Sequence, residues 1–288
     1  MNSVAPVVSV QNVSYRYPTS SKPAISNINL EVKQSEFLGI IGPSEAGKTT
    51  LCLCLNGIIP HLIGGDFTGR VDVYGADTRS RRVCELAENI GMVFEDPETQ
   101  LFGLVVEEDV AFGPENLRVP PHEIRGRIQE ALNITKLSGF ENRETFTLSG
   151  GQKQRTAIAS TLAMKSSILV LDEPTTNLDP VGKLEVFSVI RSLKEQQGST
   201  IIMTDHNTEH LAMFADRIAV MYDGSIVREG TPNEIFRDID LLDKIRVPVP
   251  EVGRLCALLE REGLFKPDDF TLTEEDLEKK LTSRFQRK

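Results

Sequence analysis

The sequence predicts an α/β fold: a largely parallel sheet with helices on its faces. Three observations carry this. Short apolar runs alternate along the chain with stretches of helical spacing, the pattern of strand–helix–strand units. Two of those runs, EFLGIIG (36–42) and SILVLDEP (167–174), are apolar almost throughout, as strands buried on both faces are. They stop on a glycine and on a pair of carboxylates, groups suited to the ligand-binding edge of such a sheet.

Taken in order, VVSVQNVSYRY (7–17) and AISNINLEVKQ (24–34) alternate apolar and polar residues and read as half-buried strands. EFLGIIG follows as a buried strand ending at Gly42. GKTTLCLCLNGI reads as a helix, and GRVDVYG (69–75) as a strand closed by a glycine. Further on, Ile124, Ile128, Leu132 and Leu137 recur at helical spacing within 122–137, and 151–165 is also helical. SILVLDEP is the next buried strand. GKLEVFSVIRSLKEQQG is a helix with a C-terminal glycine, and STIIMTDH (199–206) is another strand. Residues 217–230 form two strands around Tyr222-Asp223-Gly224, a hairpin signal. Residues 231–288 read as helices joined by VPVPE (247–251), with a charged helix and a frayed tail at the end.

Composition narrows the function. The chain has 288 residues and a net charge of −10. That charge argues against a general nucleic-acid binder. No apolar run approaches the ~20 residues that span a bilayer, and the N-terminus does not resemble a secretory signal. Cys52, Cys54, Cys84 and Cys256 lack metal or disulfide spacing, and Cys52 and Cys54 alternate with leucines as core residues do. A cytosolic, reducing compartment is expected.

IGPSEAGKTT (41–50) carries the chemistry. Gly42-x4-Gly47-Lys48-Thr49 is the phosphate-loop pattern, placed after a buried strand and before a helix as it must be. In that pattern, the loop of Gly42, Pro43, Ser44, Glu45, Ala46, Gly47, Lys48, Thr49 and Thr50 wraps a nucleotide's phosphates, which accept from the backbone N–H groups of its residues other than Pro43. Lys48 reaches the β and γ oxygens, and the Thr49 hydroxyl ligates Mg2+. Glu45 is the wrong charge for such a site if it points inward. The loop binds through main-chain donors, so position 45 constrains backbone conformation and its side chain is free to face outward. Asp172 and Glu173 end the LVLDEP strand. Asp172 suits a magnesium ion, and Glu173 suits a base that orients and deprotonates the attacking water. Without the loop, the pair would be read as turn-capping residues.

LSGGQ (148–152) opens a helix with an anion-binding end. Here the chain resembles the ATPases of ABC transporters over residues 7 to 230. The resemblance implies a P-loop NTPase of ABC-ATPase type. It would have an ATPase domain over 1–230, with a mainly parallel central sheet, an N-terminal antiparallel β part and a helical subdomain at about 96–165, and a C-terminal helical dimerisation extension over 231–288. It also implies ATP bound between one subunit's P-loop and a partner's LSGGQ, so Ser149, Gly150, Gly151 and Gln152 would serve the partner's nucleotide. Tyr17 resembles the aromatic that stacks on adenine, the alternative being a plain strand-edge tyrosine. Asn177-Leu178-Asp179 resembles the loop through which subunits communicate, and His206 the switch histidine at the γ-phosphate. His206 and His210 are four apart, a zinc spacing with no third ligand nearby in sequence.

FEDPETQLFGLVVEEDVAFGPENL (94–117) and RVPVPEVGRLCALLEREG (246–263) are similar to segments of energy-coupling-factor importer ATPases, which take up vitamins and transition-metal ions. That resemblance implies a second ATPase subunit, a membrane coupling protein (EcfT-like), a substrate-binding membrane subunit, and a peripheral place on the cytoplasmic face of the membrane. Glu95 stands where such ATPases carry a glutamine near the metal. It keeps an oxygen for the ion but adds charge. Asp96, Glu98, Glu107, Glu108 and Asp109 make this segment acidic, as either a solvated face or a docking surface. The expectation is an ATPase that binds Mg-ATP. The alternatives are a weakly active, nucleotide-gated partner of another ATPase, and a soluble ATPase acting on DNA or ribosomes, which the acidic charge disfavours.

Overall fold

In the computed structural model, which describes residues 5–176 and 178–285, the apolar runs pair into two sheets. The first sheet is built from β1 (Val8–Arg16), β2 (Ile25–Val32), β4 (Asp66–Val73) and β5 (Ala76–Asp77). Its order is β2–β1–β4–β5, antiparallel throughout. The second holds β3 (Phe37–Ile41), β6 (Ile90–Val93), β7 (Ile168–Asp172), β8 (Thr200–Thr204), β9 (Arg217–Tyr222) and β10 (Ser225–Gly230), in the order β10–β9–β3–β8–β7–β6. All but β10 run parallel. Every residue of β3, β7 and β8 is buried, which is why those segments read as unbroken apolar runs.

Helices cross between the parallel strands: α1 (Lys48–Leu55), α2 (Ile58–His61), α3 (Val83–Leu86), α4 (Val106–Asn116), α5 (Pro121–Ile134), α6 (Gly150–Ala163), α7 (Pro180–Gln197) and α8 (Thr208–Phe214). α9 (Pro232–Phe236), α10 (Ile239–Lys244), α11 (Glu251–Arg261) and α12 (Glu274–Phe285) complete the described chain. Asp223 and Gly224 close the β9–β10 hairpin, both at positive φ (47° and 75°), as a two-residue turn of matching twist requires. α7 stops at Gly198, whose φ of 60° suits a glycine C-cap.

One core fills the space between the two sheets and takes in Tyr15, Ile25, Leu51, Cys52, Cys54 and Leu55. A second covers the other face of the parallel sheet. A third is smaller and gathers Val106, Val110, Ile128, Leu132, Leu137 and Ala159 among α4, α5 and α6. A fourth joins Cys256, Phe265 and Leu277 of the last two helices. The side chains after 230 divide. Ile235, Phe236, Leu242, Ile245, Val247 and Val249 bury in the second core with the sheet, and a separate cluster begins only with α11. A helix's apolar stripe shows that it packs, not against what. The final helix is partly buried on one face through Leu277, and the end of the expected frayed tail lies outside the described residues.

Candidate nucleotide site

Strand order assembles the site. β8 lies between β3 and β7, so three loops leave the same edge of the sheet side by side. They carry the glycine loop and Lys48, then Thr204 to His206, then Asp172 and Glu173. This is the edge at which open α/β sheets bind ligands.

The loop's two glycines are sterically required. A Cβ on Gly42 would lie 2.3 Å from the Met221 carbonyl oxygen, and one on Gly47 would lie 2.6 Å from that of Ala24. Gly47 caps α1 in the left-handed region at φ 96°. Glu45 is also left-handed, at φ 65°, and its side chain is exposed. Ser44 and Thr49 are exposed as well, Pro43 is half-buried, and Ala46, Lys48 and Thr50 are buried.

The charges converge behind that loop. Lys48 Nζ donates to the carbonyls of Gly42 and Pro43, both at 3.1 Å, and lies 3.2 Å from Glu173 Oε1. Both side chains are almost fully buried. His206 Nε2 lies 3.0 Å from the same Glu173 oxygen, and Thr176 donates to Oε2 at 3.0 Å. Glu173 holds φ 47°, a left-handed strain at a site where four partners fix it. Thr204 joins the two carboxylate residues: its hydroxyl donates to Asp172 Oδ1 at 2.7 Å and accepts from the Glu173 N–H at 2.9 Å. Burial pushes the Asp172 carboxyl above its ordinary value, against hydrogen bonds from Thr204 and Thr49. Thr49 and Asp172 are therefore adjacent.

A cavity of about 570 Å³ opens over these groups. Its wall includes Tyr17, Ser44, Glu45, Thr49, Glu95 and His206. The Tyr17 hydroxyl is 3.1 Å from Thr50 Oγ1, and its ring packs edge-on against Tyr15, centroids 4.8 Å apart. Glu95 is exposed as a residue, yet its carboxyl is partly desolvated at the wall. That desolvation, then the charges of Glu173 and Asp172, raises its proton affinity. The donor set suits a hard cation: three carboxylates and a threonine hydroxyl face one lysine, and carboxylate plus hydroxyl oxygen is its preferred chemistry. The described residues include no cluster of three His, Cys, Asp or Glu able to enclose an ion alone.

Residues 149–152 do not line this cavity. Ser149 caps α6, accepting from the Gln152 N–H at 3.3 Å while Gln152 Oε1 accepts from Ser149 N at 3.0 Å. Gly150 and Gly151 form the first turn, and a Cβ on Gly151 would come within 3.3 Å of Gly182 on α7. Of the expected communication loop, Asp179 caps α7 through the Gly182 N–H, and Asn177 lies outside the described residues. His206 follows β8 by two residues instead of ending it. His210 points elsewhere and stacks on Phe187 with centroids 3.9 Å apart, so the two histidines do not share an ion.

Sequence reading missed several supporting groups. Thr204 was hidden inside a strand that reads as core, and only its place at the strand's carboxyl end signals it. Gln100 clamps the strand just before Glu95, accepting from Phe94 N and donating to the Met92 carbonyl. The acidic segment is also less of a free face than expected. Asp109 is buried and accepts from the Phe102 and Gly103 N–H groups, both at 2.9 Å, and Lys153 binds Glu98.

The ABC transporter family profile matches residues 25–176. The chain belongs to the ABC transporter family. An ABC transporter ATP-binding protein of Pyrococcus abyssi is 47% identical over 260 residues, covering 90% of this chain and 92% of the relative. The energy-coupling factor transporter ATP-binding protein EcfA1 of Caldanaerobacter subterraneus is 40% identical over 275 residues, covering 94% and 98%. Among solved structures, cbiO1 of Clostridium perfringens, described as part of the ABC transporter complex cbiONQ, aligns with TM-score 0.73 and 33% identity over 88% of this chain and 99% of that one. An ATP-binding cassette dimer bound to ADP and Pi in a post-hydrolysis state aligns with TM-score 0.68 and 30% identity over 78% and 98%. The chain is thus the ATP-binding subunit of an ABC transporter, with the P-loop NTPase fold and ATPase activity of that family.

Proposed function

We propose that this ATPase energises an energy-coupling-factor importer, which takes up a vitamin or a transition-metal ion through membrane partners. The observation that carries this reading is the end-to-end similarity to EcfA1, which extends past the shared cassette into the C-terminal helices. The similarity to cbiO1 supports it. The partners on this reading are a second ATPase subunit, a membrane coupling protein and a substrate-binding membrane subunit. On the same reading the chain sits peripherally on the cytoplasmic face; no described helix is long and apolar enough to cross a membrane.

In the site, the triphosphate would lie along the Gly42–Thr50 loop, with Lys48 turning from Glu173 toward its β and γ oxygens. Tyr17 offers the wall against which the adenine rests. Thr49, Asp172 and Glu95 would hold Mg2+, which when bound neutralises charge on the phosphates. Glu173 then accepts the proton of the attacking water, and His206, 3.0 Å from its carboxylate, keeps that oxygen oriented. Ser149, Gly150, Gly151 and Gln152 would close on the nucleotide of a partner subunit.

A Glu173→Gln variant tests the chemistry. Turnover should fall about 10²- to 10⁴-fold, the usual worth of a general base, while ATP binding persists. Unchanged turnover would remove Glu173 from this role. Co-purification with membrane proteins of a vitamin or metal importer tests the transport assignment. A second reading, a weakly active partner of another ATPase, is favoured by Glu95, whose charge crowds Asp172 and Glu173. Steady turnover by the purified chain alone would exclude it.

A further inference from the structure

The chain's C-terminal part reaches back to the nucleotide site at one point. After α10, the backbone turns through Arg246, whose φ is 58°. The Arg246 N–H bonds to the Asp243 carbonyl and the Val247 N–H to that of Leu242, which closes the helix in a left-handed cap. Glycine fits that position without strain, whereas a residue with a Cβ pays roughly 1–2 kcal/mol.

Arg246 lines a second cavity, of about 210 Å³, together with Val247 and Pro248. The opposite wall is Gly42, Pro43 and Ser44 of the phosphate loop, with Asp205 and His206. Ser44 and His206 also line the larger cavity, so they form a partition between the two. A second tie lies a few residues on. Glu209 Oε1, at the start of α8, accepts from the N–H of Glu251 at 2.8 Å, at the start of α11. The segment carrying His206 is therefore tied to the C-terminal helices at one end and borders the Arg246 cavity at the other.

We propose that Arg246 is a positioning residue for ATP hydrolysis, through which the C-terminal helices hold the His206 loop against the phosphate loop. Arg246 is exposed and shares that cavity with the Gly42–Ser44 backbone and the Asp205–His206 turn, groups that a cation reaching across it would order. The effect reaches the nucleotide through His206 and Ser44, without contact to it. Movement of the C-terminal helices would thereby alter the placement of His206 beside Glu173. This rests on the ATPase assignment, but one of its tests does not.

The first test compares Arg246→Gly, Arg246→Gln and Arg246→Lys in the full chain, with Arg254→Gln as control; Arg254 pairs with Asp243 on the same helices and lines neither cavity. Arg246→Gly and Arg246→Gln should lower kcat roughly three- to thirtyfold, the range of coupling effects, with the KM for ATP within about twofold. Arg246→Lys should recover most of the loss, and Arg254→Gln should match wild type. Because glycine suits the backbone, Arg246→Gly should match or exceed the wild-type melting temperature, which separates positioning from folding. The second test is hydrogen exchange across 205–209, expected to quicken in Arg246→Gly whether or not the preparation turns ATP over. Wild-type kcat in Arg246→Gly, a raised KM at unchanged kcat, or unaltered exchange at 205–209 would each overturn the proposal. Absent turnover in wild type would instead count against the ATPase assignment.

Discussion

Lys48 and Glu173 are the most buried charge pair of the site, and their burial makes it asymmetric. Lys48 retains two carbonyl acceptors if Glu173 is neutralised, whereas Glu173 loses its cation if Lys48 is removed. Stranding a buried charge costs on the order of 3–5 kcal/mol. Lys48→Ala should therefore destabilise the protein far more than Glu173→Gln, as well as abolish ATP binding; urea denaturation of both variants checks this. Asp205 supplies a pH signature. Burial raises its carboxyl above the ordinary value, against bonds from Thr175 Oγ1 and the Asn207 N–H, both 2.6 Å. Folding thus favours its protonated form. That stabilisation is complete below the unfolded value near 3.8 and is lost as pH rises through the folded value. Asparagine can keep both bonds and never ionises. The stability of Asp205→Asn relative to wild type should therefore grow as pH rises from about 4 toward 7; a pH-independent difference would refute the sign. Glu45 settles into a backbone role at this scale: because it is left-handed and exposed, Glu45→Gly should be more stable than Glu45→Ala by about 1 kcal/mol.

Among elements, what was legible depended on whether chemistry demands neighbours in sequence. Lys48 and Thr49 must adjoin a glycine turn, and Asp172 and Glu173 must end a strand, so both stood out as strings. The buried strands did too, because their burial on two faces erases alternation. Contacts made between elements left no such mark. Thr204 reads as one more β-former in TIIMT, and Asp109 as one more acid in VEED, although Thr204 binds backbone 31 residues away and Asp109 binds the loop before its own helix. Helices after residue 230 were visible, but the burial of α9 and α10 in the sheet's own core was not. Asp109 carries the prediction at this scale. It pins residues 102 and 103 to α4 and accepts from Ser160 Oγ of α6 at 3.2 Å. Asp109→Ala leaves two N–H groups without their acceptor, at about 1–3 kcal/mol for an unsatisfied buried group. Asp109→Asn should lose much less, since its amide can serve both sides. Equal losses in thermal unfolding would mean that Asp109 acts through its charge instead.

For the whole molecule, the decisive feature is what one chain leaves apart. The phosphate loop, the carboxylates and His206 line one cavity, while Ser149 to Gln152 cap a helix outside it. If each nucleotide is closed by a partner's helix end, the defects of two different variants must complement. Lys48→Ala chains have no working loop but an intact Ser149. Ser149→Arg chains have a working loop but a blocked helix end, at about 1 kcal/mol for the lost cap. Each alone should be inactive, because both sites of either homodimer are broken. Mixed in equal amounts, half of the randomly formed dimers carry one whole site, built from the loop of one chain and the helix end of the other. Activity should then return to about a quarter of wild type, if pairing is symmetric and the sites act independently. Recovery would show that the site is shared between two copies. No recovery, with mixed dimers confirmed by native mass spectrometry, would mean either that each chain completes its own site or that one broken site silences the pair; a linked dimer carrying a single Lys48→Ala separates these, because self-sufficient chains would retain half of the activity and coupled sites would retain none.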